Sequence, residues 1–181
     1  MGSDFALIGS ETRESGNSPE KNMLVFAEMV TYFAGYVNGE PPRGKPGPLY
    51  KTKLNKLLFY AQFLYYKKYG ARLLNNEFIA DYYGPVMDGL DECLEELESS
   101  KIIAIKNGDF GTKIVPLVRL RDDEYESKAL LWVLNDVARK FDGCSARETS
   151  DYSHQEPLWQ NTELKKPIPI ARAGELRDFC I

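Results

Sequence analysis

The stretch KTKLNKLLFYAQFLYYKKYG, residues 51–70, constrains this chain more than any other. Leu54, Leu57, Leu58, Ala61 and Leu64 recur at helical spacing as one apolar stripe, while Phe59, Tyr60, Phe63, Tyr65, Tyr66 and Tyr69 fill the other faces. A helix apolar on most sides cannot lie on a surface, so it must run through the middle of a domain. Thr52 is placed to cap its start, and Gly70 to stop it.

The flanking segments supply what would pack around that helix. Ser18, Pro19 and Glu20 make a helix opening: an N-cap, a proline at the first helical position and an acid near the positive dipole end. Met23, Phe26, Met29, Val30, Phe33 and Val37 then keep helical spacing to about Asn38. GEPPRGKPGP, residues 39–48, is Gly or Pro at seven of ten positions and is therefore a loop. EFIADYY, residues 77–83, is short and aromatic with no helical period. Gly84-Pro85 is expected to open a new helix whose buried stripe is Val86, Leu90, Cys93, Leu94 and Leu97. KIIAIK, NGDFG and TKIVPLVRL read as a β-hairpin, with Pro116 demoting its second strand to an edge. Asp122 and Asp123 are expected to open a further helix that turns Leu130, Val133, Leu134, Val137 and Phe141 inward and stops at Gly143. Ser145 to Glu148 is a capping box for a shorter helix, and ARAGELRDF is a last helical stretch. The first eighteen residues, rich in Gly, Ser, Glu and Asn, read as a flexible tail or linker. The expected fold is thus a mainly α-helical α+β domain over residues 19–181, with one small β-hairpin or sheet.

Composition then narrows the function. A chain of 181 residues that is 43% hydrophobic and 28% charged is an ordinary globular protein, not one disordered throughout. No run approaches the roughly eighteen apolar residues of a membrane span, and residues 1–20 lack the basic and apolar regions of a secretory signal. A cytoplasmic location follows as an expectation. Cys93, Cys144 and Cys180 are an odd set without CxxC spacing, and His154 is the single histidine, so no disulfide framework or multi-histidine zinc site is indicated. No Gly-rich phosphate loop is present either, so neither a metal nor a cofactor is expected. The net charge of −4 is distributed in blocks. Residues 51–72 carry Lys51, Lys53, Lys56, Lys67, Lys68 and Arg72 without an acid, and residues 88–98 carry Asp88, Asp91, Glu92, Glu95, Glu96 and Glu98 without a base.

Each block has a functional and a plain reading. The basic aromatic helix offers cations for phosphate and rings for bases, yet core packing accounts for most of its apolar positions and no basic recognition helix accompanies it. Nucleic acid is therefore disfavoured as a partner. The turn Tyr83-Gly84-Pro85-Val86 would aim a helix N-terminus at an anion, or else simply turn the chain. The acidic helix is a solvated face, or the docking surface for a basic partner. In SHQEPLW, His154 is a candidate base for hydrolysis, but no GxSxG nucleophile motif exists and an imidazole that pins the segment beside Trp159 is the plainer role.

Taken in order, KLNKLLFYAQFLYYKKYG, DYYGPV and SHQEPLW resemble the Panacea antitoxin domain, the SocA-like family, over about residues 23–180. Lys53, Leu54, Lys56, Leu57, Leu58, Tyr60 and Ala61 match its opening motif. Tyr83, Gly84, Pro85 and Val86 match its turn, and His154, Glu156 and Trp159 its terminal segment. The resemblance implies a non-enzymatic antitoxin of a bacterial or phage (prophage) toxin–antitoxin system that neutralises a cognate protein toxin by direct binding. An adaptor that delivers a toxin or client to a protease is the alternative it implies, with a hydrolase using His154 third. The implied partner-binding positions are Lys53, Lys56, Tyr60, Tyr83, Gly84, Pro85, Glu92, Glu95, Glu96, His154, Glu156 and Trp159. Two departures stand out: the GEPPRGKPGP insertion, and Leu158 where proline often precedes the tryptophan. Only a polar tail precedes residue 19, where some members carry a DNA-binding segment.

Overall fold

The computed structural model describes residues 16–38 and 48–179, the side chains of Val37 and Asn38 excepted. Helices dominate: α1 (Pro19–Asn38), α2 (Lys51–Tyr69), α3 (Leu90–Ser99), α4 (Lys128–Lys140), α5 (Ala146–Ser153) and the short α6 (Pro157–Gln160). Between them lie β1 (Leu49–Tyr50), β2 (Phe78–Asp81), β3 (Gly84–Met87), β4 (Ile103–Gly108) and β5 (Gly111–Pro116). The strands form two antiparallel sheets, one ordered β1-β5-β4 and the other the β2-β3 pair.

As its sequence demands, α2 is the central element. Leu54, Leu57, Leu58, Phe59, Tyr60, Ala61 and Phe63 are all buried, Leu64, Tyr65 and Tyr66 are half-buried, and Tyr69 at the end of the helix is exposed. The ring of Phe59 packs on Phe63 at 4.6 Å and on Phe78 of β2 at 5.7 Å, and that of Tyr60 packs on Phe141 at 4.8 Å. Val25, Phe26, Met29, Val30 and Phe33 of α1 close the core from one side, and Leu130, Val133, Leu134 and Val137 of α4 from another. Gln62 is buried because it binds the turn after the helix: its Oε1 accepts from the amides of Leu73 and Leu74, and its Nε2 donates to the Leu74 carbonyl.

Local capping follows the sequence in part. Ser18 Oγ accepts from the Lys21 amide at 3.2 Å, and Ser145 and Glu148 form the expected reciprocal capping box. Gly70 ends α2 at φ +66°. Thr52, however, lies inside α2, whose N-cap is Tyr50 with no side-chain bond. Likewise Asp122 and Asp123 form only a 3₁₀ turn, Asp122–Glu124, and α4 begins after Ser127, whose Oγ accepts from Leu130. The last helical stretch is also a 3₁₀ segment, Ile170–Glu175. Asn17, placed by sequence in the tail, is bound to Asn75 and to the Leu73 carbonyl, so the fold takes in that residue; residues 1–15 and 39–47 lie outside the described residues.

The largest correction concerns residues 84–87. Gly84-Pro85 opens no helix: Gly84–Met87 is β3, paired with β2 in the register Phe78↔Met87 to Asp81↔Gly84. Helix α3 starts only at Leu90, behind Gly89 at φ +74°, and its buried positions are Leu90, Leu94 and Leu97, with Cys93 half-buried. Pairing decides this, because β2 and side chains from α2 satisfy backbone groups that a helix would have bonded internally. Pro116 is a smaller correction, since β5 is the central strand of its sheet. The proline sits at the strand end, beyond the Ile114 and Lys113 positions that β1 pairs, so its missing N–H breaks no ladder bond there.

Candidate functional site

The three segments that carry the sequence motifs meet at one place. On α2, Lys56 Nζ donates to the Pro85 carbonyl at 2.8 Å, and Asn55 Oδ1 accepts from the Met87 amide at 2.8 Å. Two α2 side chains thereby complete the outer edge of β3. On its other side the β2-β3 hairpin is held by α5 and α6, where Ser150 Oγ donates to the Tyr83 carbonyl and Trp159 Nε1 to that of Asp81. Asp81 is also paired with Lys165, which holds its carboxyl below the usual carboxylate range. Gly84, at φ +93°, lies against α5, and a Cβ there would stand 2.5 Å from Ser153 Oγ and 3.2 Å from Lys56 Cε.

Beneath this junction, Glu156 is fully buried and paired. Tyr60 donates to its Oε1 at 3.0 Å, and Arg177 donates to Oε1 from Nε and to Oε2 from its backbone amide, both at 3.2 Å. Burial and the adjacent carboxylate push the Tyr60 phenol far above its ordinary pKa. Lys53 donates to the carbonyls of Phe141 and Cys144 at 3.0 and 2.6 Å, satisfying acceptors at the end of α4. Desolvation lowers the pKa of Lys53 and takes that of Lys56 down to about 8. The imidazole of His154 lies over Trp159 with centroids 4.7 Å apart, and its Nε2 is buried without a hydrogen-bond partner.

These placements take Lys53, Lys56, Tyr60 and Glu156 off the surface of the protein. Lys53 is 8% exposed, Lys56 1%, and Tyr60 and Glu156 not at all, so a partner resting on the surface meets little or nothing of these four side chains. Gly84 and Pro85 are buried as well, and no helix N-terminus exists at that turn to hold an anion. His154 and Trp159 are half-buried. Of the turn, Tyr83 alone stands out, at 75% exposure. Glu92, Glu95 and Glu96 lie on the exposed face of α3.

What the motif residues build is the wall of a groove of about 1190 Å³. It runs from the β4-β5 hairpin tip, past the start of α2, to α5 and Tyr83. Tyr50, Phe110 and Tyr83 are among the rings that line it, and Lys51, Arg147 and His154 line it too. Phe110 is 88% exposed, an apolar ring at the tip of a turn where polar residues belong. Sequence reasoning passed over Phe110, Tyr50 and Arg147; the phenylalanine inside NGDFG was the legible signal among them. Among the described residues, no group of three or more His, Cys, Asp or Glu is placed to hold a metal ion. No helix there is long and apolar enough to cross a membrane.

A family model described as "Antitoxin SocA-like, Panacea domain" matches residues 54–160, which take in α2 from Leu54 onward, the β2-β3 hairpin and the His154–Trp159 segment. No curated protein and no solved structure matched the chain. The match spans more than half of the 181 residues, and the chain belongs to the SocA-like Panacea family.

Proposed function

We propose that this chain, a member of the SocA-like Panacea family, is the antitoxin of a toxin–antitoxin pair and neutralises its toxin by direct protein–protein contact in the bacterial cytoplasm. The domain that does so comprises residues 19–181. One observation carries the reading beyond family membership. The chemically able groups of the motifs, Lys53, Lys56, Tyr60 and Glu156, are committed to internal bonds, while Tyr83 and Phe110 stand exposed beside a groove. Such exposed rings, rimmed by charge, suit partner binding, in which a few aromatic anchors carry most of the affinity.

The same geometry argues for a binding role over catalysis. The His154 Nε2 has no partner, and the nearby hydroxyls of Ser150 and Ser153 donate to backbone carbonyls, so no nucleophile is paired with a base here. The test is co-expression with the product of the adjacent reading frame. Growth rescue together with a stoichiometric complex is expected. Rescue accompanied by disappearance of the toxin would instead favour an adaptor that hands it to a protease, and absence of both toxicity and complex would overturn the proposal.

A further inference from the structure

The sheet β1-β5-β4 has a second face, turned away from the helical core. Helices α1 and α2 pack against the face on which Leu49, Ile103 and Ile114 are buried. Side chains alternate along a strand, so the pairing register puts Tyr50, Lys113 and Lys106 in one row of the opposite face, and Val115 and Ala104 in its next row. Leu117 donates its amide to the Ile102 carbonyl at 2.9 Å, which extends that register to a third row. No acid stands in these rows. An outward sheet face is ordinarily polar, yet here Leu117 is 57% exposed and Ile102, Ala104 and Val115 only half-buried. Beside this apolar block Lys106 and Lys113 stand directly opposite each other, a pairing of like charges that costs stability. Neither has a carboxylate partner among the described residues: Lys113 lies over the Tyr50 ring, Glu98 accepts from the Ile105 amide at the strand edge, and Asp109 is in the hairpin turn. Tyr50 also lines the groove, so this face continues from it.

Resting on the antitoxin reading above, we infer that this outer sheet face receives one amphipathic helix of the toxin, its apolar side against Leu117, Val115 and Ala104 and its acids over Lys106 and Lys113. Width selects a single helix. Three strands span two inter-strand spacings, about 10 Å, which is the diameter of one helix, and the three rows cover about 13 Å, the length of roughly nine helical residues. Charge selects the acids, because a carboxylate set between the two lysines relieves their opposition. A second copy of the chain fits badly for the same reason, since face-to-face packing would bring the lysines of both copies together.

The experiment uses the full chain co-expressed with the adjacent reading frame. Leu117→p-benzoylphenylalanine, irradiated in the complex and mapped by mass spectrometry, is expected to cross-link to a toxin segment with apolar residues at helical spacing and Asp or Glu on its flank. The double variant Lys106→Glu with Lys113→Glu keeps a like-charge pair across the strands, so the fold is left as it was while the face changes sign. It is expected to weaken the complex by roughly tenfold or more, with the larger loss at low salt. If the complex forms and either result fails, a cross-link to a basic segment or to a second copy included, the inference falls while the antitoxin reading stands. If no complex forms, the antitoxin reading fails, and a synthetic helical peptide with a Leu stripe flanked by Glu decides the face. Binding stronger than that of the Gln-for-Glu peptide, and lost in the double variant, supports a site for an acidic helix; equal or absent binding overturns it.

Discussion

Ser153 occupies the space that a side chain on Gly84 would need: a Cβ at position 84 would lie 2.5 Å from the Ser153 hydroxyl, and the glycine holds φ +93°. This contact sets how closely β3 sits on α5. Through Lys56 and Pro85 it also sets how closely both sit on α2.

Gly84→Ala is therefore expected to destabilise the protein by about 3 kcal/mol, combining a disfavoured backbone conformation with overpacking against a buried hydroxyl. Gly84→Ala combined with Ser153→Gly should recover part of that loss by removing the hydroxyl. Thermal unfolding monitored by circular dichroism checks both; a single variant as stable as wild type would refute the contact.

The buried carboxylate of Glu156 holds Tyr60 and Arg177 together. Glu156→Ala strands the phenol and leaves the Arg177 guanidinium, which keeps some access to water, to be solvated; a loss of about 2–3 kcal/mol is expected. Tyr60→Phe removes one of the bonds to Glu156 and keeps the ring packed on Phe141, so about 1 kcal/mol is expected. Urea denaturation of the pair ranks them, and the reverse order would contradict the network.

Stability should respond to alkaline pH through Lys56. Burial lowers its pKa in the folded chain to about 8, below the ordinary lysine value of 10.5, so between those limits the unfolded chain retains a proton that the folded chain has released. Stability due to this group accordingly rises with pH across that window, by up to about 3 kcal/mol. Tyr60 and Tyr125 act oppositely above pH 10, because burial raises their pKa values, that of Tyr125 to about 12, and folding then opposes ionisation. The comparison with Lys56→Met isolates the lysine, since the tyrosines are common to both proteins. The stability of wild type relative to this variant should climb from pH 8 to 10.5, and a flat difference would show that Lys56 is not desolvated.

Charge reversal of Glu92, Glu95 and Glu96 to Lys tests the competing face. These residues are exposed, so stability should change by no more than about 0.5 kcal/mol for each, apart from the added dipole mismatch of Glu92 near the start of α3. Toxin neutralisation, scored as growth rescue at equal expression, should persist. Loss of rescue in a folded variant would move the binding surface from the groove to α3.

Much of the fold was legible because its signals are local. The central position of α2 follows from apolar residues on most of its faces, and the inner face of α4 from the spacing of Leu130, Val133, Leu134 and Val137. The capping box at Ser145 and the stop at Gly70 are likewise written within a few residues. Less of the site was legible. Lys53 and Lys56 looked like surface cations, because Lys usually is one; burial depended on carbonyls of Phe141, Cys144 and Pro85, which are remote in sequence.

Periodicity and capping chemistry alone thus settled that this chain folds around one aromatic helix with a helical shell and a small sheet, since apolar spacing needs no knowledge of partners. The order of its motifs also pointed to its family. Tertiary structure decided the rest. Whether Gly84–Met87 is strand or helix turned on β2 and on Asn55 and Lys56, which supply the hydrogen bonds its backbone requires. The groove is assembled from the hairpin tip, the start of α2, α5 and residues of α1, β3 and α4, and a surface assembled from distant segments leaves no periodic trace in any one of them.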